Sequence, residues 1–455
     1  MRQKTKLVII GLDGASWGVI NPMVAQGRLR NLKKLMDNGC HAELETITPA
    51  WSPVIWTTIA TGKVAEKHGI EDFMTWRIPL LGKRLGHFKR PGYHMRMDKY
   101  ARNLLQVCVK ALVALRILEG TTINSTSRRA KAFWNIFGDA GYKVGVVDWM
   151  ISWPAEEVNG FMVTDNIDLM MREIHAGKGG GELAERAAYP AELFSFVREK
   201  MESAMRISDA EIKRFINTGG KGMEIFRSVK SLNENKKPYD ILKFGYVRDK
   251  LNCAVAEELL QREKPDVFAV NFYGIDGMQH FCWKYMHPEL FSVVTREEIS
   301  EFGEAILNYY EFADECLGRV MRAAGDDANF IIVSDHGVEA ALGSKAEGEY
   351  SGGHMFGPPG ISVFSGAGFA KAGEIGKISV RDIMPTMLAL MGMPQARDMD
   401  GEAAEEALGK GFSSERGTAY VESYENAGAA EAARADVENP VEGKVKERLK
   451  GLGYL

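Results

Sequence analysis

The stretch KLVIIGLDG (residues 6–14) combines an uninterrupted apolar run with a glycine and an aspartate. Three later stretches have the same form, namely YKVGVVDW (142–149), DVFAVNFYGIDG (266–277) and NFIIVSDHG (329–337). Short apolar runs that end in polar or glycine residues are typical of strands buried on both faces of a sheet. We therefore predict four core strands at these positions.

Helical patterns separate these runs: NLKKLMDNG (31–39), RRAKAFWNIFGDAG (128–141) and a long stretch at 297–325. Several of them end in Asn-Gly or Ala-Gly, as the C-terminus of a helix prefers. Strands that alternate with helices predict an α/β fold with a mostly parallel central sheet and helices on both faces. Ligands of such sheets gather at the carboxyl ends of the strands.

Two regions interrupt the alternation. Residues 76–127 are basic and partly helical, and residues 168–250 are helical and highly charged. We predict that both are insertions forming a helical cap over the sheet. The catalytic core then comprises residues 1–75, 128–167 and 251–425. Residues 426–455 are predicted to be a mobile tail with a short C-terminal helix.

Composition narrows the class of protein. The 455 residues are 45% hydrophobic and 26% charged, as in an ordinary soluble globular protein. A net charge of −4 gives no electrostatic reason to expect a nucleic-acid polymer or an anionic membrane as partner. The five cysteines form no CxxC pair, and the apolar region at 104–118 is too short to span a bilayer. We expect a cytoplasmic protein without a transmembrane segment, while its oligomeric state stays open.

Acidic residues and histidines follow three of the predicted strands. Asp276 and His280 are four residues apart, so they share a face if a helix follows the strand. Any one carboxylate could instead cap the next helix. Glycines in YSGGHMFGPPG (350–360) allow a further imidazole to approach closely. The candidate ligands are Asp13, Asp276, His280, Asp335, His336 and His354.

The donor set predicts a metal centre. Imidazole combined with carboxylate suits Zn²⁺ best, with Mn²⁺ as another possibility. With Ser52 included, seven ligands exceed one tetrahedral site but match two metals about 3.5–4 Å apart, an arrangement used for phosphoryl displacement. We therefore predict two divalent metal ions.

Ser52 lies in PAWSPVIWTTIATGKVAEKHG (49–69), directly before a predicted helix start. Serine favours the N-cap position and Pro53 suits the first helical residue, so a purely structural cap is one reading. In the other reading, Ser52 attacks an anion held at the helix start. A hydroxyl bound to a metal becomes a nucleophile near neutral pH without a histidine base.

In this order, the motifs resemble the alkaline phosphatase superfamily, and within it the type I phosphodiesterase/nucleotide pyrophosphatase branch with its predicted phosphohydrolase or phosphomutase relatives. The matching segments are VIIGLDG, the stretch around Ser52, NFYGIDGMQH, FIIVSDHG, SGGH and residues 379–401. The resemblance implies one metal on Asp276, His280 and His354, and a second on Asp13, Asp335 and His336. It also implies that Ser52 bridges toward the second metal and acts through a phospho-Ser52 intermediate.

The substrate is less well defined. Trp51, Trp56 and Phe73 are candidates for an apolar leaving-group pocket, or they are core packing. Lys63 is the nearest basic candidate for phosphate binding. Nucleotide-cleaving relatives place an asparagine after HGI, where this chain has Glu71 and Asp72. We expect a phosphodiesterase first, then a phosphomonoesterase or phosphomutase, and last a non-catalytic binding protein that retains the fold.

Overall fold

A computed structural model describes residues 7–78, 108–109, 111–169, 186–231, 237–341, 350–411, 419–425 and 441–452. Its strands, in chain order, are β1 Leu7–Leu12, β2 Gly39–Glu45, β3 Met74–Arg77, β4 Glu119–Thr122, β5 Val144–Val147, β6 Gly160–Val163, β7 Ala188–Tyr189, β8 Val267–Phe272, β9 Asn329–Val333, β10 Glu339–Ala340, β11 Gly352–Gly353, β12 Gly360–Ser365, β13 Gly373–Glu374, β14 Ile378–Ser379, β15 Gln395–Ala396 and β16 Tyr420–Val421.

The α-helices are α1 Trp17–Ala25, α2 Arg30–Asp37, α3 Ser52–Thr61, α4 Ala65–His68, α5 Phe133–Asp139, α6 Leu193–Ala204, α7 Asp209–Phe215, α8 Gly220–Ser228, α9 Tyr239–Glu263, α10 Gly274–Met286, α11 Arg296–Phe302, α12 Ala305–Ala324, α13 Ile383–Leu390 and α14 Glu442–Gly451. Short 3₁₀ turns occur at Ser125–Ser127, Pro288–Leu290 and Glu405–Ala407. The long helical stretch predicted at 297–325 is two helices, α11 and α12.

The largest sheet among the described residues runs in the order β13-β2-β12-β9-β1-β8-β5-β6-β7, with β14 paired to β2. Its five central strands, from β9 to β6, are parallel, and the antiparallel strands β12 and β7 flank them. The four predicted core strands are β1, β5, β8 and β9. The predicted mixed α/β fold with a mostly parallel sheet is confirmed.

Strand β1 shows why the apolar runs are continuous. Leu7 and Ile9 belong to one buried cluster, and Val8 and Ile10 belong to the other. Successive side chains of a strand point to opposite faces, so both faces of β1 are covered. Helices α9, α10 and α12 contribute to the cluster of Val8 and Ile10, and α3, α5 and α13 contribute to the cluster of Leu7 and Ile9.

The inserted regions are described in part. Residues 79–107, 110, 170–185 and 232–236 lie outside the described residues, as does most of the predicted tail. Helix α9 runs across residue 250, where we expected the second insertion to end, and contacts β8 and β5. The predicted C-terminal helix is α14, and it buries Val445 and Leu449. Among the described residues, none of the helices combines the length and the apolar character that a bilayer span requires.

Candidate metal centre and nucleophile

Three adjacent parallel strands deliver the acidic residues. The central strand β1 pairs with β8 on one side and with β9 on the other. Asp13 follows the last residue of β1, Asp276 lies in the first turn of the helix after β8, and Asp335 comes two residues after β9. Because parallel strands end at the same edge of a sheet, the three carboxylates meet there, although they are far apart in sequence.

Glycines make this convergence possible at two positions. Gly14 has a φ of +74°, and a Cβ there would lie 2.9 Å from the Cβ of Asp276. At Gly274, a Cβ would lie 1.8 Å from the hydroxyl oxygen of Tyr309. Side chains at these positions would push the end of β1 and the start of α10 out of place.

Ser52 is the first residue of α3, and Trp51 holds the N-cap position without a side-chain capping bond. The capping interpretation of Ser52 is therefore wrong, because its hydroxyl does not bond the helix start. Its Oγ lies 3.2 Å from Nε2 of His336, and the side chain is buried. All ten residues of α3 are buried, so the helix holds this hydroxyl firmly at the carboxyl edge of the sheet.

His336 stands at the middle of the cluster. Its Nε2 lies 3.3 Å from Oδ2 of Asp335 and 3.7 Å from Oδ1 of Asp13. Its ring stacks on that of His354, with a centroid distance of 3.7 Å and an interplanar angle of 9°. Two loops that are distant from Ser52 in sequence thus bring one imidazole beside its hydroxyl and stack a second imidazole on the first.

His280 joins the cluster from the other side. It lies one turn after Asp276 on α10, as the spacing predicts, and its Nε2 is 3.2 Å from Oδ2 of Asp276. Its Nδ1 lies 2.8 Å from the carbonyl oxygen of Gly352, which suits an Nδ1–H tautomer that leaves Nε2 as the ligand atom. The ring is 5.0 Å from that of His354 and stacks on Tyr350 at 4.6 Å.

Two groups of ligand atoms are close enough to share an ion. One consists of Asp13, Asp335 and His336, as the resemblance implies for one metal. The other consists of Asp276, His354 and, again, His336, with all ligand atoms of a group within 4.8 Å of one another. His280, which the resemblance places in this group, lies beside Asp276. The structure brings all seven predicted residues into one buried cluster.

The electrostatics of the cluster fit a cation. Burial raises the pKa of Asp13 well above its ordinary value, and the charges of Asp335 and Asp276 raise it further. Burial also opposes ionisation of Asp276, but the neighbouring imidazoles of His280, His354 and His336 together outweigh it and lower the pKa. Burial lowers the pKa of His354 well below its ordinary value, which keeps the imidazole neutral.

The hydrogen bonding of the Asp13 carboxylate also fits a bound cation. Oδ1 of Asp13 is buried and accepts no hydrogen bond from the described residues. A buried carboxylate oxygen without a donor is costly unless a cation is bound there. Carboxylate oxygens beside neutral imidazole nitrogens are a donor set for Zn²⁺ or Mn²⁺, so the residues present fit divalent metal ions.

Two side chains support the ligands through contacts that the sequence did not predict. Trp56 donates a hydrogen bond from Nε1 to Oδ2 of Asp13 at 3.0 Å. Gln279 donates from Nε2 to the carbonyl oxygen of Gly14 at 2.8 Å and lies between the ligands of α10 and the end of β1. The sequence indicated Trp56 only as a pocket-lining or packing residue, and it gave no signal for Gln279.

The candidate substrate residues are dispersed. Trp56 is fully buried beneath Asp13, and Trp51 and Phe73 are buried edge to face with ring centroids 5.8 Å apart. Lys63 follows the far end of α3, about 15 Å from Ser52 by helix geometry. Its Nζ contacts Asp398 at 2.7 Å and Glu425 at 2.9 Å. The structure therefore corrects two predictions: Trp56 supports a ligand, and Lys63 is engaged in ion pairs away from the cluster.

Comparison with known proteins supplies the family. The 2,3-bisphosphoglycerate-independent phosphoglycerate mutase 2 of Methanosarcina acetivorans is 30% identical over 155 residues, which cover 33% of this chain and 25% of the mutase. The corresponding mutase of Thiobacillus denitrificans is 32% identical over 101 residues, covering 22% of this chain and 19% of the mutase. These alignments span a quarter or less of the relatives' length.

Among solved structures, murine ectonucleotide pyrophosphatase/phosphodiesterase 5 is similar with a TM-score of 0.45 and 12% identity, covering 86% of this chain and 95% of that one. Phosphonoacetate hydrolase from Sinorhizobium meliloti 1021, in complex with phosphonoformate, has a TM-score of 0.39 and 14% identity, covering 75% and 59%. A model of the family "Type I phosphodiesterase / nucleotide pyrophosphatase" matches residues 7–349. The chain belongs to this type I phosphodiesterase/nucleotide pyrophosphatase family, within the alkaline phosphatase superfamily.

Proposed function

We propose that this protein is a metal-dependent phosphohydrolase that cleaves phosphate esters, phosphodiesters first among them, by double displacement through phospho-Ser52. The observation that carries the proposal is the position of the Ser52 hydroxyl, 3.2 Å from Nε2 of His336 within a buried cluster of carboxylates and imidazoles. Membership of the family supports the same reaction class.

In the proposed mechanism, the reaction takes place in two steps at Ser52. Oγ of Ser52 attacks phosphorus, the bond from phosphorus to the first alcohol breaks, and Ser52 is left bearing a phosphoryl group that still carries the second alcohol. Water then attacks phosphorus, the bond to Oγ breaks, and the phosphate monoester leaves. Because Nε2 of His336 is a ligand atom in this proposal, the hydroxyl proton passes to water. The N-terminus of α3 adds a positive dipole where the phosphate is held.

We propose Zn²⁺ for both metal positions, with Mn²⁺ as the alternative, held by Asp13, Asp335 and His336 and by Asp276, His280 and His354. When bound, such cations supply positive charge that stabilises the nucleophilic oxygen and the charge developing on the leaving oxygen. The side chains that follow β1, β9 and β11, together with those on α10, would fix the positions of that charge before the substrate arrives.

A second candidate is a phosphomonoesterase or phosphomutase that uses the same cluster. The phosphoglycerate mutase matches favour it, because a phosphoserine can return its phosphoryl group to another hydroxyl instead of to water. A non-catalytic binding protein ranks below both, because all seven predicted residues are present and assembled. A cytoplasmic location and the absence of a nucleic-acid partner remain part of the proposal.

Turnover of bis(4-nitrophenyl) phosphate and of 4-nitrophenyl phosphate by the purified full-length protein loaded with Zn²⁺ or Mn²⁺ tests this. We expect the diester to be the better substrate, and Ser52→Ala to lose at least a thousandfold in kcat. Mass spectrometry of the quenched enzyme should find a 4-nitrophenyl phosphate group on Ser52 with the diester and a phosphate group with the monoester. A hundredfold preference for the monoester would reverse the order of the two candidates.

Ser334→Ala is a matched control, because Ser334 is equally buried but bonds the carbonyl oxygen of His336 through Oγ at 2.8 Å. This variant should still form the covalent intermediate on Ser52. Full activity of Ser52→Ala would exclude the covalent mechanism, and absence of bound metal in the purified and reloaded protein would exclude the metal centre.

A further inference from the structure

A second cluster of charged side chains lies at the same edge of the sheet, beside the metal centre. Strand β5 pairs with β8 on the side away from β1, and β6 follows β5. Asp148 comes directly after β5, and Asp165 and Asp168 follow β6. Because paired strands are about 4.8 Å apart, the end of β5 is roughly 10 Å from the end of β1.

Arg248 of α9 enters this cluster. Its Nε and Nη2 donate to Oδ2 and Oδ1 of Asp148, both at 2.7 Å. Its guanidinium carbon lies 3.8 Å from the ring centre of Tyr273, three residues before the metal ligand Asp276. Its Nη1 makes no hydrogen bond with the described residues, and the side chain is 12% exposed. The guanidinium is thus fixed on two sides and retains donors on a third.

The backbone around the cluster is strained. Asp148, Ile151 and Asn166 have φ values of 52°, 63° and 64°, and they are three of the five non-glycine residues with positive φ in the described chain. A left-handed β-branched residue such as Ile151 is rare, and such strain concentrates at ligand sites. Asp165 maintains it by accepting backbone hydrogen bonds from Ile151 and Trp153.

The acidic residues of the cluster are already engaged. Asp148 also accepts a hydrogen bond from Asn252 at 2.6 Å, and Asp165 is held by backbone N–H groups. Asp168 binds Arg448 of α14. The group left to meet a ligand is the guanidinium of Arg248. A buried ion pair is by itself weak evidence of a stabilising role, which leaves a binding role open to Arg248.

We propose that Arg248 determines substrate specificity by binding a second oxyanion, carried on the organic part of the phosphate ester that extends from the metal centre toward β5. The inference rests on the proposed phosphohydrolase function. The substrates it selects are phosphate esters that bear a carboxylate or a second phosphate roughly 5–10 Å from the reacting phosphorus, one to two strand spacings away. An arginine fork binds either oxyanion through charge-assisted hydrogen bonds.

Two esters of nearly equal size test the proposal: 4-nitrophenyl 3-carboxyphenyl phosphate and its 3-carbamoylphenyl counterpart, which lacks the charge. A 3-phosphonophenyl ester distinguishes phosphate-like from carboxylate ligands. With the metal-loaded full-length enzyme, we expect kcat/KM to favour a charged ester over the carbamoyl ester by about tenfold or more, as charge-assisted hydrogen bonds do. Calorimetry on Ser52→Ala should give the same ratio in Kd.

The variant Arg248→Gln combined with Asp148→Asn removes the pair without leaving a lone buried charge. For this double variant, the ratio of kcat/KM between a charged ester and the carbamoyl ester should fall to about one. The matched control is Arg319→Gln with Glu257→Gln, which removes another ion pair of α9 and should keep the wild-type ratio. If the double variant fails to fold, Arg248→Lys, which keeps the charge but not the fork, should lower the ratio several-fold.

Two results would overturn the role of Arg248. One is that charged and neutral esters have equal kcat/KM and equal Kd with the wild type. The other is that the preference for the charged ester persists in the variants that lack the guanidinium. Failure of the proposed function looks different. In that case no ester is turned over, while the Kd ratio measured with Ser52→Ala still reports whether Arg248 selects the charged compound.

Discussion

Trp56 donates a hydrogen bond from its buried indole Nε1 to Oδ2 of Asp13, across 3.0 Å. Trp56 belongs to the same helix as Ser52, and Asp13 directly follows the central strand. A single helix therefore positions the proposed nucleophile and one of the proposed metal ligands. A second tryptophan, Trp149, packs edge to face against Trp56 with ring centroids 5.3 Å apart, which fixes the indole in turn.

Trp56→Phe removes this hydrogen bond and keeps most of the buried ring. Partners that orient a ligand typically contribute 10- to 100-fold to metal affinity, so we expect a loss of about that size for the metal held by Asp13. The measurement is metal content after dialysis against graded chelator concentrations. Trp134→Phe is the control, because the indole of Trp134 is equally buried but bonds Glu156 at 3.2 Å. Equal metal retention in both variants would remove the supporting role of Trp56.

The sequence predicted the central strands and the metal cluster because both depend on local patterns. The apolar run at β1 needs apolar contacts on both faces, and an aspartate directly after such a strand must lie at the sheet edge. The spacing of Asp276 and His280 placed them on one helical face as soon as a helix followed β8. Ser52 was ambiguous, because an N-cap and a nucleophile occupy nearly the same place in a helix start.

What the sequence did not predict depends on contacts between distant segments. Trp56 points to Asp13 only because α3 packs beneath the end of β1, and tryptophan in a buried helix is most often simple packing. Lys63 forms ion pairs with Asp398 and Glu425, more than 300 residues later. The antiparallel strand β12 inserts between β9 and β2, an order that no local pattern encodes.

Gly14→Ala should damage the metal centre. The residue has a φ of +74°, which costs roughly 1–2 kcal/mol for a side chain, and its Cβ would lie 2.9 Å from the Cβ of Asp276. We expect a lower free energy of unfolding and at least a tenfold loss of metal affinity. Gly141→Ala is the control, because its φ is +84° but no atom lies within 4 Å of the added Cβ. It should lose only the strain energy, and a similar loss of metal in both variants would contradict this account.

His68 should make stability depend on pH. It is fully buried, its Nδ1 accepts from the N–H of Ile70 at 3.1 Å, and its Nε2 lies 3.1 Å from Oγ1 of Thr58. Burial lowers the pKa of His68 to about 3, below its ordinary 6.5. The unfolded state therefore binds the proton more readily, and stability is lost as pH falls below about 6.5.

For His68→Gln, the slope of unfolding free energy against pH, taken between pH 5 and 6, should be shallower than in the wild type by up to about 1.4 kcal/mol per unit. Denaturant titrations of both proteins in chelator, where metal binding adds no pH dependence, give the two slopes. Parallel slopes would mean that the folded protein tolerates the protonated imidazole.

Lys63→Met should affect stability rather than substrate binding. The side chain is 5% exposed, and its loss leaves the carboxylates of Asp398 and Glu425, which are 32% and 27% exposed, without their shared cation. We expect the free energy of unfolding to fall by about 1–3 kcal/mol. This loss is smaller than for a fully buried ion pair, because solvent screens the two carboxylates. KM for bis(4-nitrophenyl) phosphate should stay within twofold, because Lys63 lies beyond the far end of α3. Lys67→Met, which breaks a more exposed contact with Asp400, should change stability by less than about 1 kcal/mol. A tenfold rise in KM at unchanged stability would instead indicate that Lys63 binds substrate.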